Sequence, residues 1–243
     1  MRSSPSPPRR CRSMGEYLVF TLCAGMAAMG DLAGHERRGT LTWPGRSAVL
    51  GLVAAAVGIR RDDTQGLARL EPLRVAVGII DDGVLLRDYH TVETIPTAAA
   101  KRPDSRPSAM LTAGRATNTT ITLRDYRVGV AYAVTLWGAP LDGLAEALAR
   151  PVFSLYLGRK SCPLSAPPDP RRVEAIGPVM ALTQARLPPF RPPGRIRLVA
   201  SDERIAADDA EDSRNDMAID RSKWHFATRA VYMHRPVREE DGA

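Results

Sequence analysis

Lysine is almost missing. Only Lys101, Lys160 and Lys223 occur among the 34 basic residues of this 243-residue chain, so 31 are arginine. The cationic groups are therefore planar, permanently charged and suited to bidentate phosphate contacts and base stacking. Cysteine is equally scarce. Cys11, Cys23 and Cys162 are odd in number and lack a CxxC spacing, which excludes a disulfide framework and a zinc knuckle and suits a reducing cytoplasm. No apolar run is long enough to cross a bilayer. The longest, Tyr17 to Ala28, is bounded by Glu16 and Asp31 and holds about a dozen apolar residues, against the roughly 20 that a spanning helix needs. The four histidines, His35, His90, His225 and His234, are scattered without metal-ligand spacing, and there is no P-loop, nucleophile elbow or paired-carboxylate pattern. No metal or cofactor is implied.

What is present is a globular composition with an excess of positive charge. Hydrophobic residues make up 44% and charged residues 25%, with a formal net charge of +7. A polyanion is the default partner, and nucleic acid comes first. The excess does not come from the ends, because Met14 to Ala200 carries +7 by itself.

Arg2, Arg9, Arg10 and Arg12 before the Tyr17–Ala28 run have the form of an export signal. The competing reading makes Tyr17–Cys23 the first core strand, Met14 the start and residues 1–13 a disordered or misannotated extension. Ser47 then reads as the cap of an all-round apolar, buried helix over Ala48–Ile59, ended by Gly58 and the charged Arg60–Asp63. Leu73–Ile80 is a strand, Asp81-Asp82-Gly83 a turn and Val84–Arg87 a return strand. From Asp88 to Leu123 no core face is visible, which is unusual in a compact domain and marks a functional insertion. Val128–Trp137 reads as a strand, Leu141–Arg150 as a short helix and Val152–Tyr156 as another strand. A Pro-rich stretch, Pro163 to Pro193, leads to strands at Arg195–Ala200 and Phe226–Met233. The acidic run Ser201–Asp216, with seven carboxylates and two arginines, reads as a solvated loop.

Without the insertion the order is βαββαβ, an α+β ferredoxin-like arrangement. RNA-recognition domains use it, laying RNA across the open face of the sheet, although the scaffold alone names no function. Two segments carry candidate chemistry. Gly158-Arg159-Lys160-Ser161, after a strand, has the makings of a phosphate cradle: close backbone approach, two cations and a neutral donor. At the ends of the insertion, Arg87-Asp88-Tyr89-His90 and Arg124-Asp125-Tyr126-Arg127 place Arg beside an aromatic, a pairing that grips phosphate and stacks on unpaired bases. Residues 101–127 hold six cations against two acids. His90 is alternatively a general acid or base for RNA cleavage, with Tyr89 or a lysine assisting.

Three motifs carry a resemblance to a known family: Pro44-Gly45-Arg46-Ser47 with the helix ending Val57-Gly58-Ile59 and Arg61-Asp62-Asp63-Thr64; Arg87-Asp88-Tyr89-His90-Thr91-Val92; and Tyr156-Leu157-Gly158-Arg159-Lys160-Ser161-Cys162-Pro163-Leu164. Over about Met14 to Pro163 the chain resembles CRISPR-associated protein family 5 of subtype I-E, called CasD in the older naming, and more weakly so through the final strand. The resemblance implies a ferredoxin-like core of the RAMP superfamily (14–163) with a long β-hairpin thumb (88–126), and a Pro-rich linker with a small β-rich extension (164–243). It implies a cytoplasmic, non-catalytic subunit of the Cascade surveillance complex that holds the crRNA 5′ handle and caps the backbone filament. Its thumb would meet the backbone subunit (CasC), with the large subunit (CasA) and target DNA engaged through the assembled complex and no membrane involved. Relatives in subtype I-C cleave precursor crRNA, which is the enzymatic alternative. The expected RNA contacts are Arg38, Arg46, Ser47, Arg87, Tyr89, His90, Arg124, Tyr126, Arg159, Lys160 and Ser161. Where relatives commonly have Gln-Ala-Trp-Gly, this chain has Ala27-Ala28-Met29-Gly30.

Overall fold

The computed structural model describes residues 14–34, 36–220 and 225–236; the extension read at residues 1–13 lies outside them. The first strand, β1 (Gly15–Ala27), is followed by the short β2 (Gly30–Ala33) and β3 (Arg37–Thr40), then by helices α1 (Arg46–Val57) and α2 (Thr64–Leu70). Next come β4 (Arg74–Asp81), β5 (Val84–Thr94), α3 (Arg106–Ala113), β6 (Asn118–Trp137), α4 (Leu144–Ala149) and β7 (Arg171–Ala175). Helix α5 (Pro178–Leu182), β8 (Leu198–Ser201), β9 (Ala210–Asp220) and β10 (His225–His234) follow among the described residues.

All ten strands enter one large, mainly antiparallel sheet. Its spine is the 20-residue β6. The second half of β6 lies between β1 (Leu18 opposite Leu136) and β4 (Val77 opposite Val134), both antiparallel. The first half pairs with β5, from Val84 opposite Val128 to Thr94 opposite Asn118, and runs parallel to β3 at Leu123 and Arg124. Antiparallel pairing of β7 with β1 and of β8 with β4 extends the core on either side, and β10 and β9 continue beyond β8.

Strand alternation sends Leu18, Phe20 and Leu22 of β1 and Tyr132, Val134 and Leu136 of β6 to the face covered by α1 and α4. Each such buried side chain contributes about 1.5–3 kcal/mol relative to exposure. Tyr132, fully buried, keeps its hydroxyl satisfied by donating to the Thr42 carbonyl at 2.7 Å. The opposite face is closed too. Tyr17, Val19, Ala76, Ala133 and Val199 pack against Ala181 and Leu182 of α5, and the Thr21 N–H donates to the Pro168 carbonyl at 2.8 Å. The central strands thus offer no open face for RNA, contrary to the recognition-domain expectation.

Several local readings change. Val152–Tyr156 is not a strand. Pro151 precedes it, and the N–H groups of Val152 and Phe153 donate to the carbonyls of Ala56 and Ala55 at 3.0 and 3.1 Å, satisfying the end of α1. The strand beside β1 is β7. Ser47 does not cap α1. It stands in the first turn behind Gly45, and Asp216 of β9 takes the cap's role, accepting from the Arg46 N–H at 2.7 Å. The acidic run is no loop through its second half, which forms β9. The stretch from Asp88 is a regular hairpin, its two strands closed at the tip by α3.

Candidate nucleic-acid interface

The loop 156–163 is a tight excursion. Tyr156 bridges Pro163, the Leu157 N–H donates to the Cys162 carbonyl at 2.9 Å, and the Cys162 N–H donates to the Arg159 carbonyl at 2.8 Å. Gly158 has φ +85°, and a Cβ there would lie 1.7 Å from the Ala28 carbonyl oxygen, so only glycine permits this approach. The Ala28 N–H donates to the Leu157 carbonyl at 3.0 Å. The Ala27-Ala28 segment therefore meets the loop through its backbone, which its side-chain departure from the relatives leaves intact.

From this loop two surfaces diverge. Arg159 turns toward the base of the hairpin, where its guanidinium carbon lies 4.5 Å from the centroid of the buried Tyr126 ring. Lys160 and Gly158 line a cleft of about 1690 Å³ instead, floored by small residues of α1 and its entry (Gly45, Ser47, Ala48, Gly51) and walled by Arg214–Asp216 of β9. Arg60 and Arg61 also line it. Lys160 and Ser161 are exposed.

The hairpin register sorts the remaining candidates into two faces. Leu86 opposite Tyr126, Asp88 opposite Arg124 and His90 opposite Thr122 share one face, and the parallel pairing brings Arg38 beside Arg124. Arg124 Nε and Arg159 Nη1 are buried without a hydrogen-bond partner. Unsatisfied guanidinium donors are costly, and two of them lie on arginines that flank Tyr126. His90 Nδ1 lies 2.8 Å from Asp88 Oδ2. The other face carries Arg87 opposite Asp125 and Tyr89 opposite Leu123. Asp125 is buried and binds both Arg87 and Arg37; the Arg87 guanidinium, followed by Arg37, holds its carboxyl below the ordinary aspartate range against the effect of burial.

Arg46 stands apart from these residues. Its Nη1 donates to the Leu73 carbonyl at 2.5 Å and to Asp202 at 2.8 Å, and Nη2 donates to the Glu71 carbonyl at 2.5 Å. Asp202 also accepts from Arg229 at 2.8 Å, and Arg229 grips Asp216 through Nε at 2.5 Å. Arg46 thus belongs to a part-buried network joining α1, Asp202 just after β8, β9 and β10, and its side chain is committed within the fold. Sequence reasoning passed over Arg37 and Asp125. Arg37 adjoins Arg38 without a motif of its own; the importance of Asp125 depends on a register that sequence alone does not supply.

The profile of the CRISPR-associated protein family (Cas_Cas5) matches residues 17–232. The chain belongs to that family. It is 36% identical over 184 residues to "CRISPR system Cascade subunit CasD" of Escherichia coli (strain K12), covering 70% of this chain and 76% of that protein. Among solved structures, a chain of a "CRISPR RNA-guided surveillance complex" matches with TM-score 0.64 and 28% identity over 90% of this chain and 89% of its own. A second, described as "Crystal structure of Cas protein", matches with TM-score 0.60 and 26% identity over 90% and 94%. Family membership accounts for the mixed α/β fold with its large antiparallel sheet. Among the described residues no helix is long and apolar enough to cross a membrane.

Proposed function

We propose that this member of the family is the crRNA-binding subunit of a type I-E Cascade, acting in the cytoplasm in antiviral defence. It holds the 5′ handle of the guide RNA and caps the backbone filament without cutting RNA. The observation that carries this reading is the stack of Arg159 on Tyr126, with an unpartnered Nη1, on the loop from which Lys160 faces the neighbouring cleft. That arrangement suits a phosphodiester running from the 156–163 loop along the Arg38–Arg124 face. The hairpin around residues 88–126 is the thumb that meets the backbone subunit. The large subunit and target DNA join through the assembled complex. A ferredoxin-like core is supported by the strand order β7-β1-β6-β4, antiparallel throughout, with α1 between β1 and β4 and α4 between β6 and β7. That core then reaches past residue 163 to the end of β7 at Ala175, and elements after it extend the sheet, with α5 covering its second face. The test is to purify the complex with the Arg159→Ala/Lys160→Ala subunit. Loss of guide RNA is expected; full RNA occupancy would remove the loop from the interface.

One observation favours a second reading. The Asp88–His90 pair orients an exposed imidazole as a general base would require. On that reading the protein cleaves precursor crRNA without metal, and incubation with a repeat RNA yields a specific cut that His90→Ala abolishes.

A further inference from the structure

We propose that Asp125 is a positioning residue for RNA: it fixes Arg37 and Arg87 as one preorganised cationic fork that grips backbone phosphates on the hairpin face opposite Arg124 and Tyr126. The inference rests on the RNA-binding reading above and concerns a different face of the hairpin.

The geometry is that of a shared clamp. Arg87 Nε donates to Oδ1 at 2.8 Å and its Nη2 to Oδ2 at 3.2 Å, while Arg37 donates to Oδ2 through Nε at 3.3 Å and Nη2 at 3.0 Å. The Asp125 side chain is 3% exposed and that of Arg37 59%. Two guanidiniums thus share one carboxylate, which leaves a net positive charge whose anchor is buried and whose outer end faces solvent. Each arginine retains Nη1, which none of these bonds uses. Arginine loses much rotamer freedom on gripping a ligand, and a partner that fixes the fork beforehand removes that cost from binding. Three elements converge here, since Arg37 belongs to β3, Arg87 to β5 and Asp125 to β6. On the same face, Tyr89 is 69% exposed and two residues beyond Arg87, an aromatic platform for an unpaired base next to a phosphate fork.

The proposal makes an unusual demand, that removing a negative charge from an RNA-binding protein should weaken RNA binding. The test measures affinity of the full chain for a labelled single-stranded RNA carrying the repeat-derived 5′ end. Asp125→Asn is expected to weaken binding about tenfold. Arg37→Lys keeps the charge but loses the fork, sits on an exposed side chain and is expected to weaken binding similarly. In an Arg37→Gln/Arg87→Gln background, Asp125→Asn should cause no further loss. Equal or tighter binding by Asp125→Asn, wild-type affinity in Arg37→Lys, or an undiminished Asp125→Asn effect in the glutamine background each overturns the proposal. Binding by the wild type that Asp125→Asn leaves unchanged defeats this inference alone; a wild type that binds no RNA defeats the RNA reading and this inference with it.

Discussion

The guanidinium of Arg159 lies 4.5 Å from the ring centroid of Tyr126, so the 156–163 loop and the base of the hairpin are joined by a cation–π contact. Such contacts contribute about 0.5–2 kcal/mol, more when desolvated. Tyr126→Leu keeps an apolar side chain, though a smaller one, and removes the quadrupole. Its expected effects are a small loss of thermal stability and a several-fold loss of RNA affinity, measured by melting and by titration with single-stranded RNA. An affinity equal to wild type would show that Arg159 needs no platform.

Gly158 is a sharper test of the loop's geometry. Its φ of +85° and the 1.7 Å approach of a Cβ to the Ala28 carbonyl oxygen mean that Gly158→Ala must move the backbone of either the loop or the end of β1. A loss of about 2 kcal/mol or more is expected. For a chain of this size that corresponds to a melting temperature roughly 4–8 °C lower. Calorimetry with no shift would contradict the close approach.

The Arg46–Asp202–Arg229–Asp216 network predicts large effects on stability. Asp202, 8% exposed, accepts from Arg46 and Arg229 at 2.8 Å each and from the Val75 N–H at 3.0 Å. Asp202→Ala leaves two part-buried guanidiniums without their shared carboxylate. A destabilisation of about 3–5 kcal/mol is expected, read from denaturant unfolding and little relieved by salt, because buried pairs are weakly screened.

Acidification should act through Asp125. Its carboxyl is held below the ordinary value of 3.8 by Arg87 and then Arg37, so the folded state binds the proton less readily than the unfolded chain does. The resulting stability is fully present above the unfolded value and is lost as pH falls through the lower, folded one. Melting followed from pH 6 down to pH 2 should therefore decline more steeply for wild type below about pH 4 than for Asp125→Asn. Parallel curves would contradict the ion pair.

The sequence made the central elements legible wherever burial was one-sided or complete. β4 and α1 fall within a residue or two of the expected bounds, because Leu73–Ile80 is buried save for Arg74 and the half-buried Ile80, and Ala48–Ile59 turns Val49, Leu50, Leu52, Val53, Ala54 and Ala56 into the core. The hairpin beyond Asp88 escaped periodicity because much of both its faces meets solvent, so no apolar alternation was required; the family resemblance, not the pattern, anticipated it. β9 was hidden for a related reason. It is an edge strand whose carboxylates are matched to arginines, Asp216 to Arg229 and Glu211 to Arg204, so it reads as a charged loop. Val152–Tyr156 misled in the other direction, since its β-branched and aromatic residues serve the end of α1. Within the candidate interface, Arg159, Lys160 and Tyr126 are expected from motif alone, and the structure sets Arg159 on Tyr126. The engagement of Arg46 with Asp202, a partner 156 residues away, had no local signal.

The most direct test of the RNA-binding account is the salt dependence of guide RNA retention by complexes assembled with wild-type and Arg159→Ala/Lys160→Ala subunits. The account predicts that the double variant assembles with less guide RNA at every salt concentration. Loss of two phosphate contacts should also flatten the slope of log affinity against log salt by between one and two. Identical retention and an identical slope would contradict it.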